Sequence, residues 1–228
     1  MTLHTILVLL SGFGVHLVSC TNYPILPSIV VYEGKNQTGE SVFVPTTYFP
    51  DLSVKKFDNR VQSVCVNGTW LLYEHSHYNT KEMGDMEYVS GYSYCSNLKI
   101  IEGKASSLRF VGSATDTASD SITFYSNIYF QGKEEYFTDS DASLNNDVRN
   151  SIIVTGSLGW RLFEKSNFQG ESICIQAEKK SSPTGIVNEP FVFLNPNVKT
   201  ANGDSPGIAW PVMSFRKDSC FESIVNHD

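Results

Sequence analysis

The residues of this chain whose types and spacing could do chemistry are few. His75-Ser-His77 places two imidazoles on one side of a strand or turn, where they could bind zinc. A zinc site takes three or four protein ligands, so the pair reads better as two solvated turn histidines. No nucleophile elbow or His-bearing motif supports Ser/His/Asp catalysis, and no carboxylate pair stands out for acid–base work. The expectation is therefore a protein that is not an enzyme. Two sequons, Asn36-Gln-Thr38 and Asn67-Gly-Thr69, are glycosylation sites if the host is eukaryotic.

The N-terminus sets the compartment. Met1 to Cys20 lacks Asp, Glu, Lys and Arg and carries Ile6-Leu-Val-Leu-Leu10, the pattern of a secretory signal peptide over residues 1–20 rather than a membrane span. Cleavage after Cys20, with Val18 at the −3 position, leaves a mature chain starting at polar Thr21-Asn22. Leu17-Val-Ser-Cys20 also fits a bacterial lipoprotein box, and the missing positive n-region counts against it. No later segment is long and apolar enough for a transmembrane helix, so a secreted, extracellular, soluble protein is expected. There Cys65, Cys95, Cys174 and Cys220 form an even set that permits three disulfide pairings. A net charge of −7 without a Lys/Arg cluster argues against nucleic acid as a partner.

What positions these groups is a repeat. Ser63-Val-Cys-Val-Asn-Gly68, Ser107-Leu-Arg-Phe-Val-Gly112 and Ser151-Ile-Ile-Val-Thr-Gly156 recur 44 residues apart, and Ser214-Phe-Arg-Lys follows 63 residues after the third. Ahead of these lies an aromatic with Gly seven positions on, at Tyr32/Gly39, Tyr125/Gly132 and Phe163/Gly170. A second aromatic stands five positions on at Tyr78, Phe130 and Phe168, with Gln37 in its place in the first unit. The second unit has Thr80 where Gly is due and Gly84 four positions late. Self-similarity at this period fixes architecture before local propensity does. There are four units, and the last carries an insertion at about 177–206.

Each unit reads as a hairpin, a loop and a returning strand. In the first half the strands are Ser28–Tyr32, Ser41–Val44, Gln62–Val66, Thr69–Tyr73, Met86–Val89, Tyr92–Ile101 and Ser107–Val111, with no helical period. The small polar stretch 113–121 reads as a linker. The fold class is all-β: two β-sandwich domains, each of two Greek-key motifs, over residues 28–112 and 122–220. The hairpin aromatic is expected to pack inward, the Gly to supply a positive φ, and the strand-opening Ser to bond the folded hairpin's backbone. Loop entropy and the repeat boundaries favour Cys65 with Cys95 and Cys174 with Cys220, although sequence alone does not choose.

The aromatic-x4-aromatic-x-Gly pattern followed by a strand-opening Ser, four times in two pairs, resembles the βγ-crystallins over about Ser28 to Cys220. That resemblance implies the Greek-key fold above and one cofactor, calcium. Calcium-binding members carry two Asn/Asp, two free positions, Ser/Thr and the strand-opening Ser. The corresponding windows are Asp58-Asn59-Arg-Val-Gln62-Ser63, Glu102-Gly-Lys-Ala-Ser106-Ser107, Asn146-Asp147-Val-Arg-Asn150-Ser151 and Ala209-Trp-Pro-Val-Met213-Ser214. The resemblance thus points to weak calcium binding by Asp58, Asn59, Gln62 and Ser106 in the first domain and by Asn146, Asp147 and Asn150 in the second. The degenerate windows set against this the loss of the ion. The insertion, with Phe191-Val-Phe-Leu194 held between prolines, is a candidate partner-binding loop, and otherwise covers a sheet edge and packs on its own domain. The resulting expectation is a secreted structural or interaction protein, monomer or homodimer, with an unknown protein or surface target. A secreted effector, inhibitor or toxin-like protein acting through the 177–206 loop is the alternative.

Overall fold

The computed structural model describes residues 6–9, 16–19, 24–182, 185–189, 191–193 and 210–220, with backbone alone before residue 24 and from 178 to 193. β1 (Ile6–Leu9) and β2 (His16–Ser19) pair with each other. Cys20 and the cleavage point assigned to it lie outside the described residues, as does most of the leader. β3 (Ser28–Tyr32), β4 (Ser41–Val44), β5 (Ser63–Tyr73), β6 (Met86–Asn97) and β7 (Ser107–Val111) form the first sandwich. β8 (Ser121–Tyr125), β9 (Glu134–Phe137), β10 (Ser151–Thr155), β11 (Gly159–Lys165), β12 (Gln169–Gln176), β13 (Glu178–Ser182), β14 (Gly185–Glu189), β15 (Phe191–Phe193) and β16 (Ser214–Asp218) follow. All pairings are antiparallel. Short 3-10 turns are the only helical pieces among the described residues, and none is long and apolar enough to cross a membrane.

Units nest two by two because each lends a segment to its neighbour. In the first sandwich Phe49 of unit one bridges Leu108 of unit two, and Tyr94–Asn97 of unit two pair with Ser63–Val66 of unit one. In the second, Asp141 of unit three bridges Phe215 of unit four, and β15 of unit four pairs with β10 of unit three. One sheet per unit would leave an apolar face in water; the exchange locks two such faces together.

The strand alternation selects the core. Ile29 and Val31, Trp70 and Leu72, Ile122 and Phe124, and Trp160 and Leu162 point inward, two from the first strand of each unit. The returning strands add Val64, Val66, Leu108, Phe110, Ile152, Val154 and Phe215. Successive side chains on a strand face opposite ways, so the repeat aromatic immediately after Val31, Leu72, Phe124 or Leu162 faces outward. Tyr73 and Tyr125 accordingly join a third cluster outside both cores, which corrects the expectation that the hairpin aromatic packs inward.

One further expectation changes, and one pair of alternatives is decided. Gln62–Val66 and Thr69–Tyr73 are one strand, β5, with a register shift between Val66 and Gly68, and Met86–Val89 and Tyr92–Ile101 merge over Met86–Asn97 as β6. A strand can bend at a bulge and pass from one sheet to the next without losing its ladder. The Phe191–Leu194 run, read either as an element for a partner or as cover for a sheet edge of its own domain, contains β15 and takes the second course: Phe191, Val192 and Phe193 pair with Val154, Ile153 and Ile152. Apolar residues between prolines serve here as the third strand of their unit, and the rest of the insertion holds the separate β13–β14 ribbon.

Candidate functional site

Four folded hairpins organise everything outside the cores. In each, the strand-opening Ser hydroxyl donates to a hairpin carbonyl: Ser63 to Gly34 (2.6 Å), Ser107 to His75 (2.7 Å), Ser151 to Asn127 (2.7 Å) and Ser214 to Lys165 (2.6 Å). Each hydroxyl also accepts, at 3.0 Å, the N–H of Gln37, Tyr78, Phe130 or Phe168. The residue before the Ser donates its N–H to the carbonyl of the repeat aromatic, from Gln62 to Tyr32, Ser106 to Tyr73, Asn150 to Tyr125 and Met213 to Phe163. These bonds satisfy backbone that turns away from any ladder, where Gln37, Tyr78, Phe130 and Phe168 have φ near +60°. The second aromatic then lies edge-on to the first, with centroids 5.8 Å apart for Tyr73/Tyr78, 5.6 Å for Tyr125/Phe130 and 5.7 Å for Phe163/Phe168.

Unit two shows how the motif survives without its glycine. In units one and three the third hairpin residue donates to a backbone carbonyl, Gly34 to Thr38 and Asn127 to Gln131. In unit two the His75 N–H goes instead to the Asn79 side-chain Oδ1 at 2.8 Å. Asn79 Nδ2 holds the inserted residues through the carbonyls of Gly84 (2.9 Å) and Asp85 (3.1 Å).

The outer faces of units two and three pack on each other through Leu71, Tyr73, Met86 and Val111 against Tyr125, Phe130 and Ile153. At the centre is Arg109, two residues after the strand-opening Ser107 and 3% exposed. Its Nε donates to Tyr73 Oη (3.0 Å), its Nη2 to the Phe130 carbonyl (2.7 Å), and its Nη1 lies 3.0 Å from Glu134 Oε2. The rings of Tyr73, Tyr78 and Tyr125 lie 5.3, 4.9 and 4.8 Å from the guanidinium carbon. Tyr73 Oη also donates to the Phe130 carbonyl (2.7 Å), Tyr48 donates to Glu134, and Gln131 Nε2 reaches the Gly84 carbonyl (3.1 Å). Burial pushes the Tyr48, Tyr73 and Tyr125 hydroxyls well above the ordinary tyrosine range, so all three stay neutral. Sequence reasoning missed this cluster, although an Arg inside Ser107-Leu-Arg-Phe-Val was a signal: a charge in an apolar strand needs a partner.

The corresponding outer faces of units one and four look outward, and each carries a disulfide. Cys65 pairs with Cys95, its direct neighbour across β5 and β6, in the row of Val30 and exposed Phe43. Cys174 pairs with Cys220 beside Arg161, whose Nε lies 2.6 Å from Asp218 Oδ2. Arg216, at the same repeat position as Arg109, lies over Phe163 and Phe168 at 5.4 and 5.9 Å.

The loops that the resemblance connects with calcium differ between domains. In the first, the Asn59 N–H donates to the Ala105 carbonyl at 3.1 Å, which sets Asp58 and Asn59 beside the loop of Ser106. Asp58 Oδ2 accepts from Asn59 Nδ2 (3.1 Å), while the Gln62 backbone donates to the Tyr32 carbonyl and accepts from the Leu98 N–H. This set offers a carboxylate, amide oxygens and a hydroxyl from two adjacent loops, a partial match to the six to eight oxygens of a calcium ion. In the second, Asp147 Oδ2 lies 2.7 Å from Lys133 Nζ, and Asn150 turns its Nδ2 to the Ser126 carbonyl (2.8 Å). The hydrogen bond from Lys133 holds the Asp147 carboxyl below its usual range, and Asp147, then Glu135, raise the lysine. Asp147 and Asn150 thus present an amine-paired carboxylate and an amide turned to backbone, a poor match to a calcium ion. Among the described residues no group of three His, Cys, Asp or Glu could hold a metal. His75 Nδ1 meets Glu82 at 3.2 Å while exposed His77 meets Ser76 Oγ at 3.3 Å, so the two imidazoles do not converge.

The sequons also differ. Asn36 is exposed, and its Oδ1 accepts from Asn97 Nδ2 (3.0 Å). Asn67 is half-buried, with Nδ2 on Ser28 Oγ (3.2 Å) and Oδ1 on the Ser93 N–H (2.8 Å). At the edge of the interface a cleft of about 770 Å³ is lined by Met83, Tyr88, Ile100 and Tyr129 together with Glu74 and Asp85. Met83 and Ile100 are 74% and 58% exposed.

Comparison with known proteins agrees with this architecture. The Beta/Gamma crystallin family model matches residues 28–111. Geodin, a beta-gamma crystallin from Geodia cydonium, is 19% identical over 85% of this chain and 100% of its own, with a TM-score of 0.56. A beta gamma crystallin from Ciona intestinalis is 19% identical over 37% of this chain and 99% of its own, at a TM-score of 0.30. Protein S complexed with calcium is 18% identical over 85% of this chain and 100% of its own, also at 0.30. A search of curated proteins returns no match. Residues 28–111 thus match the Beta/Gamma crystallin family model, and the chain as a whole shares the fold of a βγ-crystallin.

Proposed function

We propose that this is a secreted, non-enzymatic protein with a structural or interaction role, its two domains spanning 28–112 and 122–220 about the linker 113–121. The carrying observation is where the chemically capable side chains are used. Arg109, Glu134, Tyr48 and Tyr73 are engaged with one another or with backbone at the interface, and Ser63, Ser107, Ser151 and Ser214 are bonded to hairpin backbone. Two disulfides suit an oxidising compartment and a long extracellular life. Exposed Asn36 is the better glycan acceptor, since Asn67 is held at both ends of its amide. The cleft beside exposed Met83 and Ile100, with its acidic rim, gives a protein or surface partner somewhere to sit.

The reading is tested by expressing the full chain in secreting cells. It requires export, loss of the leader and both disulfides in the medium. Replacing only the β13–β14 ribbon, 178–189, by a short Gly-Ser turn separates the effector alternative. A target-binding effector loses its partner, whereas a structural protein changes in stability alone.

Weak calcium binding by Asp58, Asn59, Gln62 and Ser106 is a second reading, favoured by the Asn59 to Ala105 bond that joins the loop of Asp58 and Asn59 to that of Ser106. A ligand bound only to the native state raises Tm. Calcium in excess over chelator should raise it in the wild type and not in Asp58→Ala; an unmoved wild-type Tm at millimolar calcium removes this reading.

A further inference from the structure

The acidic loop of the second domain already holds a cation, and that cation belongs to the chain. Arg149, with a side chain only 3% exposed, gathers four oxygens. Its Nη1 donates to the carbonyls of Asn145 and Asp147, both at 3.1 Å. Its Nη2 donates to Asn145 Oδ1 at 2.7 Å and lies 2.7 Å from Glu135 Oε2. Two backbone carbonyls, an amide oxygen and a carboxylate are the donor mixture that a hard divalent ion selects. The ring of Phe124, centred 5.5 Å from the guanidinium carbon, backs the group.

Lys133 completes the arrangement, with Nζ 2.7 Å from Asp147 Oδ2 and 3.1 Å from Glu135 Oε1. Lys133 is largely exposed and can swing into water, so it alone would not keep another cation out. Arg149 is enclosed and bonded on both terminal nitrogens, and cannot leave without breaking four contacts. The first domain differs at this point. Arg60 Nη2 bridges Glu33 (2.9 Å) and Glu40 (2.7 Å), and Nη1 takes the Lys56 carbonyl (2.6 Å), which leaves the side chains of Asp58, Asn59 and Ser106 outside its contacts.

We infer that Arg149 is the resident cation of the second-domain loop. It occupies an oxygen-lined position that would otherwise accept a divalent ion, so this domain holds its shape independently of calcium. Removing the guanidinium should convert the loop into a calcium site built from Glu135, Asn145, Asp147 and two backbone carbonyls. This inference does not depend on calcium binding in the first domain, because its signature is sensitivity to Asp147.

The test measures Tm of the full chain in calcium and in chelator for wild type, Asp147→Asn, Arg149→Ala and the double variant. The wild-type response, whatever its size, should be the same in Asp147→Asn. Arg149→Ala should melt lower than wild type in chelator and gain about 5 °C or more in calcium beyond any wild-type gain. The double variant should lose that extra gain. A wild-type calcium shift abolished by Asp147→Asn overturns the inference, as does a folded Arg149→Ala with no extra shift. If Arg149→Ala does not fold in chelator, recovery in calcium supports the inference; failure to refold in either condition overturns the claim that calcium can replace the guanidinium.

Discussion

Arg109 of the first domain and Glu134 of the second meet at 3.0 Å across the interface, with side chains 4% and 17% exposed. Truncating one member of such a pair leaves a buried charge without its counter-ion, which typically costs about 3–5 kcal/mol. Arg109→Ala should therefore lower the denaturation midpoint by far more than a surface truncation. Arg109→Met combined with Glu134→Gln should cost much less, because Tyr73 Oη and the Phe130 carbonyl still bond each other at 2.7 Å. Equal losses in the two variants would mean that the ion pair does not hold the domains together.

The same interface sets an alkaline limit. Tyr48, Tyr73 and Tyr125 are each raised above the ordinary value, chiefly by burial, so they stay protonated in the folded state while unfolded tyrosines ionise near ~10. Their stabilising contribution is complete below that value and is lost as pH rises above it. Urea midpoints measured from pH 8 to 11 should be flat at first and then fall. Tyr125→Phe, whose buried hydroxyl has no hydrogen-bond partner among the described residues, should soften the fall without loss at pH 8. An unchanged alkaline slope in that variant would place the pH sensitivity elsewhere.

What the sequence made legible is what the repeat encodes within one unit. The Ser that opens a strand bonds a hairpin carbonyl of its own repeat unit, although 24 to 49 residues separate the two, so the period of the repeat revealed the folded hairpins and the returning strands. The direction of Tyr73 and Tyr125 was misjudged because burial was equated with the core, and a second buried surface between domains does not show in any one unit. For Phe191–Phe193 the sequence offered cover of a sheet edge but not which edge: its partner Ile152–Val154 lies in another unit, and prolines beside an apolar run look locally like a loop. Arg109 and Arg149 were legible as charges next to apolar residues, but their carboxylates, Glu134 and Glu135, lie one hairpin away.

Asn79 is the compensation for the glycine that unit two lacks. Asn79→Ala removes the acceptor for the His75 N–H and the donor to the Gly84 and Asp85 carbonyls in a side chain that is almost wholly buried. Leaving buried backbone groups unpaired costs about 1–3 kcal/mol, and Asn79→Asp should restore the acceptor alone. The expected order of Tm is wild type, then Asp, then Ala. Amide exchange at His75 should quicken in the Ala variant most, and an unaltered rate there would show that the hairpin is held by Ser107 alone.

The two disulfides close loops of unequal consequence. Cys65 and Cys95 face each other on strands already joined by an extended ladder, while Cys174–Cys220 spans 46 residues and encloses the entire insertion. By loop entropy, removing either costs about 3–4 kcal/mol through the unfolded state. The native state separates them. After Cys65→Ser with Cys95→Ser, the β5–β6 ladder remains to hold unit one. After Cys174→Ser with Cys220→Ser, β16 keeps its pairing with β11, the Asp141 bridge to Phe215 and the Ser214 bond to Lys165, while the insertion is left as a long open tether. Limited proteolysis under native conditions should cut the second variant within 177–209 well before the first variant is cut anywhere in β5 or β6. Similar cleavage of the two would mean that β15 and the interface, not the bridge, restrain the insertion.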